Sequence, residues 1–159
     1  MSLPTTDLCD ANEGKVQVVT PIFQIYGGVK IFYGKISTVK VFEDNVLVSD
    51  ALSKDGTGKV LVVDGGGSLR CALVGGMIAE LAHKNHWAGI VVYGCIRDCE
   101  EISRIQIGVR ALNTHPLKSV KKGAGNVEIP VTFAGVTFVP GHYLYADADG
   151  VIVAVNSLL

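Results

Sequence analysis

Short apolar runs punctuated by glycine make up most of this chain, and their periodicity changes along it. Lys59-Val60-Leu61-Val62-Val63-Asp64 is continuous and β-branched between Gly58 and Gly65. Such a run predicts a strand buried on both faces, hence a parallel one. Residues 88–94, Ala-Gly-Ile-Val-Val-Tyr-Gly, repeat the pattern. Between the two, Leu73, Met77, Ile78, Leu81 and Ala82 recur at helical spacing in the stretch 69–86, which Lys84, Asn85 and His86 close. The order strand, helix, strand predicts a right-handed crossover. A short helix over 100–105 and a third strand of this layer over 108–112 follow.

Elsewhere the pattern is looser. Residues 29–41 alternate and are rich in Val, Ile, Phe and Tyr, predicting one or two strands broken at Gly34. Short helices are predicted over 6–11, with Thr6 or Asp7 as N-cap, and over 49–54, ending at Asp55-Gly56. Near the C-terminus, 131–133, 136–139 and 151–155 are β-rich and separated by turn signals, which predicts antiparallel strands. The sum is an α/β or α+β chain with mixed sheets.

Composition narrows this only slightly. A chain of 159 residues is most simply one domain, 1–159, large enough for a real core. With 48% apolar and 18% charged residues it is globular rather than disordered. A formal net charge of −1 provides no field for nucleic acid or an anionic membrane. The lysines at 118, 121 and 122 read as a solvated loop. Cys9, Cys71, Cys95 and Cys99 form neither CxxC nor a zinc pattern, and predict reduced, mostly packed thiols and a cytoplasmic setting. No basic start followed by an apolar run marks a secretory signal, and no apolar stretch is long enough for a membrane span. Met1-Ser2-Leu3 reads equally as a natural start or a cloning remnant.

Two stretches carry candidate chemistry. In Val62-Val63-Asp64-Gly65-Gly66-Gly67-Ser68 the glycines match neither a dinucleotide fingerprint nor a P-loop. A flexible turn and an anion-facing run of backbone N–H groups remain equal readings. Arg97-Asp98 is sharper, because it directly follows the strand at 88–94, and ligands gather at the carboxyl ends of parallel strands. A guanidinium there is a planar fork for a carboxylate. The neighbouring Asp98 offers a hard oxygen to a Mg²⁺-type ion that polarises an adjacent carbonyl. The competing reading is a local ion pair followed by a helix start with Glu100 and Glu101 in its first turn. His83, His86, His115 and His142 show no metal spacing, and no serine sits in a nucleophile elbow. Asp147 and Asp149 beside Gly150 read as turn residues.

The chain resembles the RraA-like family, which includes regulators of ribonuclease E activity and class II 4-hydroxy-4-methyl-2-oxoglutarate aldolases. The likeness runs nearly end to end: DLCDA near the start, KVFEDN at 40–45, KVLVVDGGGSLRCALVGG at 59–76, WAGIVVYGCIRD at 87–98, IGVRAL at 107–112, HPLK at 115–118, VTFAGVTFVPG at 131–141 and YADADG at 145–150. The resemblance implies a three-layer swivelling-domain architecture with mixed β-sheets. It implies a ring-shaped homotrimer, which can pair into a hexamer, with a cleft between subunits. It also implies that Arg97 binds the carboxylate of a small 2-oxo acid, that Asp98 ligates Mg²⁺ or Mn²⁺, and that backbone amides of Gly75, Gly76, Met77 and Ile78 cradle the substrate. The implied reaction is retro-aldol cleavage to pyruvate, with oxaloacetate decarboxylation as a side activity and no lysine Schiff base. The general base is unassigned, a water on the metal being one option. One position departs from the pattern: many aldolases carry an aspartate twenty-one residues before the arginine, and Gly76 stands there. Loss of such an outer acid lowers metal affinity or activity by roughly 10–100-fold, unless a neighbouring subunit supplies a substitute.

The same family implies a second reading, a protein-binding inhibitor of a ribonuclease or helicase partner. Inhibitory members can lack the metal aspartate, whereas this chain keeps Asp98. A methyltransferase, a name once attached to the family, finds no nucleotide fingerprint here. Direct RNA binding finds no aromatic–basic interleaving.

Overall fold

The β-branched runs become strands of one large mixed sheet in the computed structural model, which describes residues 4–159; the Met1-Ser2-Leu3 start lies outside the described residues. In chain order the elements are α1 (Thr5–Ala11), β1 (Val16–Val18), β2 (Gln24–Ile25), β3 (Phe32–Lys40), α2 (Val46–Leu52), β4 (Lys59–Asp64), β5 (Ala72–Val74) and α3 (Gly76–Lys84). They continue with β6 (Gly89–Ile96), α4 (Cys99–Ile102), β7 (Gly108–Thr114), β8 (Asn126–Val127), β9 (Val131–Phe133), β10 (Val136–Phe138), β11 (Tyr143–Asp147) and β12 (Gly150–Ala154). The sheet order is β1-β12-β11-β3-β4-β6-β7-β2, with β5 attached to β6 and β8 to β3, while β9 and β10 pair separately. The centre, β3-β4-β6-β7, is parallel, as the continuous apolar runs predict. β11 and β12 flank it antiparallel.

Residue parity along the central strands divides the interior into two cores. Leu61 and Val63 of β4, with Ile90 and Val92 of β6, face α2, α3 and α4. Val60, Val62 and Val91 face the β9–β10 hairpin. Period-two geometry sends alternate side chains to opposite faces, so a run apolar at every position can serve both cores. The result is three layers: helices, central sheet and hairpin.

Phe32 packs where the sheet is bare. A β-carbon added to Gly89 or Gly108, paired across β6 and β7, would fall inside its ring. Arg110, 3% exposed, lies over that ring at 5.6 Å and donates through Nη2 to the carbonyls of Lys30 and Asp147.

Several expected boundaries shift. The stretch 69–86 is not one helix: Ala72–Val74 is a strand beside the end of β6, and the helix starts only at Gly76. Gly34 does not break β3; its missing side chain lets the Gly58 carbonyl approach. The second helix begins at Val46 and ends at Leu52, and the 100–105 helix is the single turn Cys99–Ile102. β11 lies where only turn chemistry was expected. The first helix begins at Thr5, with Pro4 at its N-cap, because the Thr5 backbone N–H and hydroxyl donate to Asp147 instead.

Asp147 is therefore more than a turn residue. Burial alone would raise its pKa, but donors from Thr5, Asp149 and Gly150 outweigh burial and hold it below the usual carboxylate range. A carboxylate with a depressed folded pKa adds stability above its unfolded value of about 3.9 and loses it as pH falls through the folded value. Asp147→Asn should lower the thermal midpoint at pH 7. The gap to the parent should narrow as pH falls below about 4, which melting at pH 7, 4 and 3 checks.

Candidate active site

The carboxyl end of β6 carries the site. Arg97 N–H donates to the Val74 carbonyl, 2.9 Å away, so the strand's hydrogen bonding continues one residue past Ile96. Asp98 then turns the chain with φ 57° and ψ 43°, a left-handed conformation that Asp tolerates better than most residues, and opens α4. One carboxylate oxygen, Oδ2, accepts the Gly76 N–H at 2.9 Å. This fixes the Asp98 rotamer against the first turn of α3. The next N–H groups of that turn, Met77 and Ile78, have no partner four residues back inside the helix, as at any helix start.

The close packing depends on glycine. A β-carbon on Gly75 would stand 3.0 Å from Asp98 Oδ2 and 3.4 Å from Arg97 Nε, so Gly75 and the Arg97-Asp98 pair are immediate neighbours. The sequence-predicted residues Gly75, Gly76, Arg97 and Asp98 thus converge, and Met77 and Ile78 continue from them into the first turn of α3. Arg97 is half-buried, Asp98 is exposed, and Met77 at the mouth is 88% exposed. Arg97 and Asp98 form no ion pair with each other; among the described residues the ion pair is Arg70–Glu43. The simple surface-pair reading fails on this point.

Glu101 is the residue missed in the sequence. A β-carbon built on Gly76 would collide with its carboxylate. That carboxylate therefore occupies the direction in which a side chain at 76 would point. Its signal was the i, i+3 spacing from Asp98, which puts both acids on one helical turn.

The family model RraA-like, described as Aldolase/RraA, matches residues 5–153. The chain belongs to the RraA-like family. A protein of Aromatoleum aromaticum named "Putative 4-hydroxy-4-methyl-2-oxoglutarate aldolase" is 62% identical over 159 residues, covering 100% of both chains. Two solved structures are similar. One, titled an S-adenosylmethionine:2-dimethylmenaquinone methyltransferase from Geobacillus kaustophilus, has a TM-score of 0.96 at 50% identity and covers 98% of this chain and 97% of its own. The other, titled the RNA-processing inhibitor RraA from Thermus thermophilis, has a TM-score of 0.95 at 44% identity and covers 98% and 94%.

The position where the family pattern has an acid is Gly76 in this RraA-like chain, and the Glu101 carboxylate occupies the space a side chain there would take. The triple-glycine turn has no free amides to offer an anion. Gly65 and Gly67 N–H both donate to the Tyr93 carbonyl, Gly66 N–H to Asp64 Oδ1 and Ser68 N–H to the Gly65 carbonyl. It is a folded turn, and the anion-facing reading is set aside. A cavity of about 610 Å³ in this RraA-like chain lies away from Arg97 and Asp98, between the segments Asn12–Gln17, Thr137–His142 and Val153–Leu158. All four cysteines are free; burial raises the Cys71 and Cys95 thiols above their usual pKa, and Cys99 is exposed.

No group of three or more His, Cys, Asp or Glu side chains converges among the described residues. Asp98 and Glu101 each bring a hard carboxylate to Gly76, Asp98 through Oδ2 to its N–H and Glu101 in the space a side chain there would take. This fits Mg²⁺ or Mn²⁺, which keep several waters and take one or two carboxylates. It does not fit a metal that needs a closed protein cage. No helix among the described residues is long and apolar enough to cross a membrane.

Proposed function

We propose that this RraA-like protein is a divalent-metal-dependent lyase that cleaves 4-hydroxy-4-methyl-2-oxoglutarate-type acids to pyruvate, with oxaloacetate decarboxylation following from the same chemistry. The observation that carries this reading is the Asp98 carboxylate, held by the Gly76 N–H with Arg97 beside it and Glu101 over Gly76. Asp98 and Glu101 would hold the cation. When bound, it supplies positive charge that draws electron density from the 2-oxo group as the carbon–carbon bond breaks. Arg97 clamps the substrate carboxylate through its planar fork. The N–H groups of Met77 and Ile78, at the positive end of α3, orient the same anion. The cleft is completed by a second copy in a homotrimer or hexamer. The exposed Met77, Leu69, Leu117 and Val120 support such a contact, since they leave apolar surface open to water on the single chain.

A second reading, a cytoplasmic inhibitor that binds a ribonuclease or helicase, is favoured by the 44% identity to the Thermus RNA-processing inhibitor. The methyltransferase title of the Geobacillus structure finds no support in the glycine turn, whose amides are consumed internally.

Pyruvate release from oxaloacetate and from 4-hydroxy-4-methyl-2-oxoglutarate, with Mg²⁺ and with chelator, tests the proposal. A rate above the free-metal background that chelator removes is expected. A rate equal to free Mg²⁺ on both substrates overturns it in favour of the partner-binding protein.

A further inference from the structure

Three consecutive polar residues after β3 hold the triple-glycine loop, the segment 120–124 and β5 together. Glu43 accepts Ser68 Oγ at 2.6 Å and pairs with Arg70 at 2.6 Å and 2.9 Å, fastening the triple-glycine loop. Its own backbone is left-handed, with φ 56°, and its carbonyl accepts the Val120 N–H at 3.0 Å. Asp44, 2% exposed, accepts the N–H groups of Val46, Lys122 and Ala124 at 3.1, 3.0 and 3.1 Å. Asn45 donates to the Leu73 carbonyl in β5 at 3.2 Å.

The segment Asp44 holds is the one that frames Arg97 and Asp98. After β7 the chain crosses the end of β6, where His115 N–H donates to the Ile96 carbonyl at 2.9 Å. It then returns beside β5, where Ala72 N–H donates to the Leu117 carbonyl at 2.8 Å. β5 in turn accepts the Arg97 N–H and leads directly into Gly75 and Gly76. One buried carboxylate thus closes a loop of contacts around the site without touching it.

We infer that Asp44 is a positioning residue: its carboxylate clamps 117–124 against β5 and so sets where Gly75 and Gly76 stand relative to Arg97 and Asp98. Burial works against the charged form of Asp44, and four backbone N–H groups, of Val46, Ala124, Lys122 and Gly123, outweigh it. A neutral amide of the same shape cannot satisfy that many donors, since one of its two heavy atoms is itself a donor.

The inference rests on the lyase reading for its kinetic arm and stands apart from it in its exchange arm. In Asp44→Asn, the amides of Lys122 and Ala124 should lose protection from hydrogen exchange, and those of Val74 and Gly76 should follow. The kcat/KM for pyruvate release should fall about tenfold, chiefly through KM, with Mn²⁺ affinity within twofold of the parent because Asp98 is intact. Asp44→Glu, which keeps the charge but displaces the oxygens, should fall between the two and serves if the amide variant does not fold. A lowered melting temperature with unchanged kcat, KM and Gly76 protection overturns the inference and leaves Asp44 purely structural. If the parent itself releases no pyruvate, the lyase reading fails. Protection at Val74 and Gly76 then decides the inference alone, and an unchanged value overturns it.

Discussion

Asp98→Asn should fold like the parent and lose the proposed metal-dependent pyruvate release. Asparagine is among the few residues that accept the left-handed backbone at 98, and its side-chain oxygen can still receive the Gly76 N–H. What disappears is the charge. A neutral amide oxygen holds Mg²⁺ or Mn²⁺ far more weakly than a carboxylate. The expected drop in Mn²⁺ affinity and in kcat/KM is at least about a hundredfold, above the range of ~10–100-fold seen when an outer-shell group is removed. Titration calorimetry with Mn²⁺ and a coupled pyruvate assay measure the two. Asp98→Ala would add about 1–2 kcal/mol of backbone strain at the same place, so the amide is the cleaner variant. Half the parental rate in Asp98→Asn would remove Asp98 from the proposed metal site.

The largest loss of stability is expected from a residue with no side chain. In Gly108→Ala the new methyl group would enter the Phe32 ring, over which Arg110 also lies and which also covers Gly89. The ring is 4% exposed and sits in a filled core, so it has nowhere to retreat. Overpacking of this kind costs about 3 kcal/mol, or roughly 6–12 °C in Tm for a chain of this size. Thermal melting checks the value. The double variant Phe32→Leu with Gly108→Ala should be more stable than the sum of the single losses, because the smaller side chain vacates the volume the methyl group needs. Strict additivity would mean that the ring is not the obstacle.

How much could be read beforehand differs by region. β4, β6 and β7 were legible because a strand covered on both faces must be apolar at every position, and few other structures make that demand. Arg97 and Asp98 were legible for the related reason that charge directly after such a strand needs an explanation. The division of 69–86 was not: Leu73 happens to stand in helical phase with Met77, and only the Gly75-Gly76 pair marks the change from strand to helix. Gly34 was misread because the sequence does not say whether a glycine ends a strand or admits another backbone, here that of Gly58. Glu101 was hidden among first-turn acids, since its place against Gly76 is set by a helix that begins twenty-five residues earlier in the chain, at Gly76. The Glu43-Asp44-Asn45 turn was visible as a motif, but its partners at 68–73 and 120–124 are joined to it only by folding.

The left-handed backbone at Asp98 bears on how such a protein can diverge. Glycine, asparagine and aspartate are the residues that accept that geometry at little cost. Any aspartate codon reaches a glycine or an asparagine codon by a single base change. The mutations most easily tolerated by the fold at this position are therefore the ones that delete the carboxylate and keep everything around it. A lineage could pass from metal-dependent chemistry to a role resting only on the protein surface in one step, with no intermediate that fails to fold.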